Sequence, residues 1–257
     1  NIIEKPLVTA ITNIDYDHMN VLGKTLRKIA YDKAGIIKRN SHFITGEQRP
    51  RLIRFFKQTC RDVGAHFNQI QHQETYSNYN EALASAIARK IKIEEIDIAE
   101  GISRSRLQCR FEVMQKNPLV ILDGAHNRIK IKSTIDNLAR LSYKRLLLII
   151  AISDNKDDDS MLDQIIPLSD KIFFTRFQIK DRKCSHPKKL LADSKKYLKK
   201  NADTRIFLDP IMALKAANAE AGKDDAILVA GSFFLAGELR KKWFPEEMIL
   251  KERKIDF

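Results

Sequence analysis

The chain contains no G-x-x-x-x-G-K-[ST] segment, so the loop whose amides and lysine commonly cradle nucleotide β and γ phosphates is not encoded in these 257 residues. Cysteine is scarce too. Cys60, Cys109 and Cys184 are odd in number, far apart and without a C-x-x-C, which argues against a disulfide framework and against a zinc site. No apolar run approaches the roughly 20 residues needed to cross a bilayer, and no signal-peptide pattern opens the chain. The expectation is a cytoplasmic protein with no membrane partner.

Acidic residues fall short of basic ones, 33 against 46, for a net charge of +13. Such an excess suits a nucleic-acid partner, but the basic residues are scattered through every segment. Local runs such as Lys188-Lys189, Lys195-Lys196 and Lys199-Lys200 lack the interleaved aromatics of a single-strand binding surface. They read as solvated helix faces, and no nucleic acid is expected. A positive field also draws in small polyanions. A hydrophobic fraction of 44% with 31% charged residues fits a globular chain of one large or two modest domains.

The densest chemistry lies between Ile11 and Lys38. An apolar run, Pro6-Leu-Val-Thr-Ala-Ile-Thr12, predicts a strand, and Asp15, Asp17 and His18 follow where it ends. Leu22, Leu26, Ile29 and Ala30 recur at helical spacing, and Lys33 stands near the end of that helix before Gly35, which can supply the stop. On spacing alone, Lys33 complements the helix dipole and His18 is a loop histidine. Ser41–Gly46 reads as a strand, Arg51–Val63 as a helix, 68–78 as irregular, and Tyr79–Lys90 as a helix in which Asn80 is a candidate N-cap. The mixed charges of 91–108 place a boundary between domains 1–100 and 101–257.

From Cys109 on, apolar runs alternate with helical segments: 111–114, 118–123, 145–152, 171–175, 205–208 and 226–230. This pattern predicts an α/β fold with a mostly parallel sheet covered on both faces and ligands at the strands' carboxyl ends. Polar residues follow two of these runs, in Asp123-Gly-Ala-His-Asn127 and in Gly231-Ser-Phe-Phe-Leu235. Arg110, in Cys109-Arg-Phe-Glu112, has a fork suited to phosphate oxygens. Structural alternatives stand beside each: an ion pair of Arg110 with Asp123, a helix start for His126 and Asn127, and a cap for Ser232.

These segments together resemble the folylpolyglutamate synthase and dihydrofolate synthase family of the wider Mur ligase group. The motifs that carry the likeness are the Thr12-to-His18 stretch, Asp32-Lys-Ala-Gly-Ile-Ile-Lys38, Thr45-Gly46, Asn80, Arg110, Asp123–Asn127, Asp154-Asn-Lys-Asp157 and Gly231-Ser232. The resemblance implies the rest of a central ATPase domain followed by a Rossmann-like C-terminal ligase domain. It further implies ATP-dependent joining of L-glutamate to a folate or dihydropteroate carboxylate through an acyl phosphate. By the same likeness His18 is a Mg2+ ligand, Lys33 is carbamylated, Asn80, Arg110 and Asp123 contact ATP, and His126 meets phosphate or the acyl phosphate. The family's phosphate loop precedes the matching region, so the chain reads as a C-terminal fragment missing an N-terminal ligase segment. The alternative is a non-catalytic nucleotide-binding remnant of a split or decaying gene. Two departures stand out: Cys109 replaces a glycine, where it is expected to crowd a ligand, and Arg128 replaces a proline.

Overall fold

The computed structural model describes residues 2–15, 25–73, 76–105, 107–154 and 157–252. It divides into two compact units, Asn1–Ser105 and Arg106–Phe257.

The first unit is a three-stranded parallel sheet in the order β1 (Val8–Ile11), β2 (His42–Thr45), β3 (His66–Gln69). Successive strand residues point to opposite faces, and β2 shows the result. Phe43 joins Ile11, Ile14 and the inward stripes of α1 (Leu26–Ala34) and α2 (Pro50–Val63), among them Ile29, Ala30, Leu52, Phe56 and Cys60. Ile44 faces the other way, toward Leu83, Tyr79 and Ala86 of α3 (Tyr76–Lys90). Local chemistry marks the helix ends: Thr25 accepts from the Lys28 N–H, Pro50 opens α2, and Gly64 at φ +73° closes it in the left-handed conformation. Helix α4 (Glu95–Arg104) then occupies the charged stretch before the division at Ser105.

Two expectations are corrected here. The 68–78 stretch is not wholly irregular, because β3 runs to Gln69 and α3 already starts at Tyr76. Asn80 is therefore the fifth residue of α3 and not its cap.

The second unit is a six-stranded sheet in the order β4-β5-β9-β6-β7-β8: β4 (Glu112–Lys116), β5 (Leu119–Leu122), β9 (Ala226–Ala230), β6 (Leu146–Ile150), β7 (Lys171–Phe174) and β8 (Asp203–Ile206). Among the described strands of this sheet, β4 alone pairs antiparallel. Every residue of β6 and β9 is buried, as the unbroken apolar runs of a doubly covered parallel sheet require. One face packs Ile121, Leu148, Ile150, Phe174 and Leu228 against α5 (Arg128–Leu138), α6 (Asp159–Ile165) and α7 (Pro187–Ser194). The other packs Val120, Leu122, Ile149, Phe173 and Val229 against α8 (Pro210–Glu220) and α9 (Phe233–Arg240). Helix α10 (Glu246–Glu252) ends the described chain. Among the described residues, no helix is long and apolar enough to cross a membrane.

Candidate functional site

Strands β5 and β9 are neighbours, and their exits diverge. The chain leaves β5 for α5 on one face and leaves β9 for α9 on the other. Adjacent parallel strands with diverging exits open a crevice at their carboxyl ends. Main-chain bonds tie its walls: Gly124 N–H donates to Cys109 O at 2.7 Å, and Gly231 N–H to Ala125 O at 2.9 Å.

Phe233 is the platform. The Arg110 guanidinium lies 4.3 Å from its ring centroid and the His126 ring 5.5 Å away. Gly124 makes room for it, since a Cβ there would sit 2.2 Å from a Phe233 ring carbon. His126 Nδ1 is 2.7 Å from Gly124 O, and its Nε2 is 3.1 Å from the Lys130 ammonium. Asn127 caps α5 by accepting from Lys130 N–H, and Ser232 caps α9 by accepting from Phe234 N–H. For both, the structural alternative is the one observed.

Asp123 is buried beneath this surface. Its carboxylate accepts from the Thr134 hydroxyl at 2.8 Å and from Ala125 N–H at 2.9 Å, and the Phe111 N–H adds a third donor. Burial pushes its carboxyl above the usual range, against the pull of Thr134, Ala125 and the Arg110 charge. A raised folded pKa means stability that is full below the unfolded value of about 3.9 and is lost as pH rises through the folded value. Asp123→Asn should therefore hold its melting temperature from pH 4 upward where the parent chain declines relative to it. Parallel profiles would refute that charge assignment.

Arg110 is flanked by Cys109 at φ +56° and Phe111 at φ +43°, a conformation that costs roughly 1 kcal/mol or more for a residue with a Cβ. Glu112 holds this segment: it accepts from Cys109 N–H at 2.8 Å and takes a forked contact from Arg240, with N···O distances of 2.9 to 3.1 Å. Burial raises the Glu112 pKa, but the Arg240 and Cys109 contacts outweigh it and leave the carboxyl below its usual range. The expected crowding by Cys109 does not occur as foreseen, because its side chain is buried among Val120, Leu122 and Leu235. Burial raises that thiol to about 11, so it stays protonated. Glycine suits this position for its backbone freedom.

The remaining sequence candidates lie in the first unit. Lys33 is exposed on the last turn of α1, and Asn80 is exposed on α3, on the opposite face of the sheet. His18 lies outside the described residues, as do Asn155 and Lys156 of the Asp154–Asp157 motif. Sequence reading missed Glu47, a 2% exposed carboxylate at the end of β2. It accepts from the N–H groups of Ile14, Gln48 and Arg49 and from the Arg49 guanidinium. Burial pushes its pKa up, and these donors bring it below the usual range.

An open groove of about 730 Å3 lies elsewhere, along α6 and α7. Within it Lys189 meets Asp158 at 2.6 Å and Lys196 meets Asp159 at 2.7 Å.

Comparison with known proteins finds its clearest similarity in the second unit. A family model described as "Mur ligase, glutamate ligase domain" matches 109–233, from the Cys109 turn to Phe233. Residues 109–233 thus resemble a Mur ligase glutamate-ligase domain. Around this domain the resemblance to folylpolyglutamate and dihydrofolate synthases runs nearly the whole chain. A Bacillus subtilis dihydrofolate synthase/folylpolyglutamate synthase is 25% identical over 94% of this chain and 64% of its own length. Escherichia coli FolC in complex with DHPP and ADP superposes with a TM-score of 0.78 at 23% identity, covering 96% of this chain and 62% of that one. A Yersinia pestis bifunctional folylpolyglutamate synthase/dihydrofolate synthase with Mn, AMPPNP and L-glutamate bound gives 0.76 at 22% identity, covering 92% and 61%. At these identities the two structures speak for the fold. The chain spans less than two-thirds of the length of these relatives, and the matched stretch 109–233 carries the Arg110, Asp123, His126 and Phe233 cluster.

Proposed function

We propose that the chain is the glutamate-adding part of an ATP-dependent amide-bond ligase that joins L-glutamate to a folate or dihydropteroate carboxylate through an acyl phosphate. The observation that carries the reading is the convergence of Arg110, His126 and Phe233 over buried Asp123 at the diverging ends of β5 and β9, within a glutamate-ligase domain. Arg110 would hold nucleotide phosphate through its fork, with Phe233 fixing the plane of that fork. Asp123 makes its contacts inside the protein, so it serves the site by fixing the 123–127 turn; its contact with ATP rests on resemblance. Asn80 as a nucleotide contact rests on resemblance.

The same applies to the metal. Mg2+ would offset charge on the transferring phosphoryl group and prefers oxygen ligands. Among the described residues no three His, Cys, Asp or Glu side chains gather as ligands, and the Glu47 carboxylate already accepts several donors. The metal role therefore stays with His18, on resemblance alone. Carbamylation of Lys33 needs a neutral amine, which burial favours; Lys33 is exposed here, so that modification also rests on resemblance. The cysteines are unpaired, in keeping with a reducing cytoplasm.

The test is ADP release from the purified chain with Mg-ATP and L-glutamate. Dihydropteroate, tetrahydrofolate and no acceptor are compared, each with and without the phosphate-loop segment of a relative supplied in trans. Acceptor-dependent release is expected once that segment is present. A folded mixture that binds the nucleotide yet releases nothing would overturn catalysis. It would instead favour a non-catalytic nucleotide-binding protein.

A further inference from the structure

We infer that the outer face of α1 and α2 in the first unit binds single-stranded nucleic acid, an activity separate from the ligase reading. The lysine runs that stand out in the sequence are not its source. In the fold Lys189 meets Asp158, Lys196 meets Asp159 and Lys199 meets Asp170, so each run has an acid partner. The cations of α1 and α2 differ. Arg51, Arg54 and Arg61 lie on the solvent side of α2, opposite the buried Leu52, Phe56 and Cys60, and Arg27 and Lys28 are exposed on α1. Among the described residues none of these five forms an ion pair. The acids nearest in sequence offset little: Glu47 is buried and taken by Arg49, Asp62 accepts from the Gln58 amide at 2.7 Å, and Asp32 is a single exposed carboxylate on α1.

An aromatic ring stands among these cations. Tyr31 is 75% exposed, one turn after Arg27 and Lys28. Its centroid lies 6.4 Å from that of half-buried Phe55, which follows Arg51 by one turn. Packing of α1 on α2 thus assembles an aromatic and a basic stripe that no linear run displays. An open ring backed by a second ring gives a base a surface to stack on, while guanidinium forks meet phosphate oxygens. From Arg51 to Arg61 the helix rises about 15 Å, the reach of about four phosphates of one strand. A lipid surface fits less well. Besides Tyr31, no large hydrophobic of α1 or α2 is exposed among the described residues, whereas a helix lying on a membrane buries an apolar face.

The test follows the fluorescence anisotropy of labelled oligouridylate and oligothymidylate with the full 257-residue chain over a KCl series. Plotted on logarithmic axes, affinity against salt should fall with a slope of about −3, as expected for about four phosphates of a single strand. Arg51→Gln with Arg54→Gln should reduce that slope by about 1.4. Tyr31→Ala should weaken binding about fivefold or more at unchanged slope, and Tyr31→Phe should keep the parent affinity. Lys188→Gln with Lys195→Gln removes the same charge from exposed positions of the second unit and should leave the slope as it is. The oligonucleotide that binds more tightly tells RNA from DNA. No binding, a parent slope near zero, an equal loss in the Lys188 and Lys195 variant, or tighter binding to phosphatidylserine vesicles than to either oligonucleotide would overturn the inference. The parent slope is read without any substitution, so it does not depend on any variant folding.

Discussion

Gly231→Ala should lower the unfolding free energy of the Arg106–Phe257 unit by about 3 kcal/mol, the sum of a strained backbone and an overpacked contact. Gly231 sits at φ +96°, beyond the left-handed well that Asn or Asp tolerate. An added Cβ would lie 2.6 Å from the Ala151 carbonyl oxygen and 3.1 Å from Ile150 Cγ1. The oxygen belongs to the chain leaving β6, a central strand that is buried along its length, so relief requires moving the sheet. The consequences reach the site, since Gly231 N–H bonds Ala125 O and the next residue caps the helix that carries Phe233. With an m-value of roughly 2 kcal/mol/M, the urea midpoint should fall by about 1.5 M at unchanged slope. A shift below about 0.3 M at that slope would mean that the turn relaxes freely.

Arg110→Met should weaken ADP binding by about 30-fold or more, and Arg110→Lys should restore only part of that loss. A forked, charge-assisted contact to phosphate contributes roughly 2 to 3 kcal/mol. Lysine keeps the charge and loses the fork and the planar stacking. The guanidinium carbon lies 4.3 Å from the Phe233 centroid, a cation–π distance. Titration calorimetry on the parent and both variants separates the terms. Equal affinity for all three would remove Arg110 from the site, and full rescue by lysine would reduce its role to net charge.

What could be read from sequence, and what could not, follows from how far apart the interacting residues are. The buried strands were legible because β6 and β9 are covered on both faces and so are apolar at every position. Strand β3 was not, because His66-Phe-Asn-Gln69 is an edge strand with half-exposed polar residues that look like a loop. The Asp123–Asn127 turn was legible as polar residues after an apolar run. Its supports were not: Glu112 finds Arg240 across 128 positions, and Glu47 finds the Ile14 N–H across 33. Phe233 was passed over because an aromatic beginning a helix carries no local signal of the arginine and histidine that pack on it. Cys109 was read by size, whereas its backbone conformation and inward side chain decide its effect.

The strand order of the second unit also bears on how the chain reaches its native state. Strand β9 is the last of the described strands in sequence and lies between β5 and β6. Until Ala226–Ala230 has left the ribosome, those two strands have no neighbour between them, and each presents an apolar edge able to pair with another chain. The sheet then closes by inserting a central strand late, over long sequence separations, which makes for slow folding. Chaperone demand during synthesis should therefore peak just before residue 226 emerges and end soon after residue 230. The crevice that holds Arg110 and His126 is completed by that same late insertion.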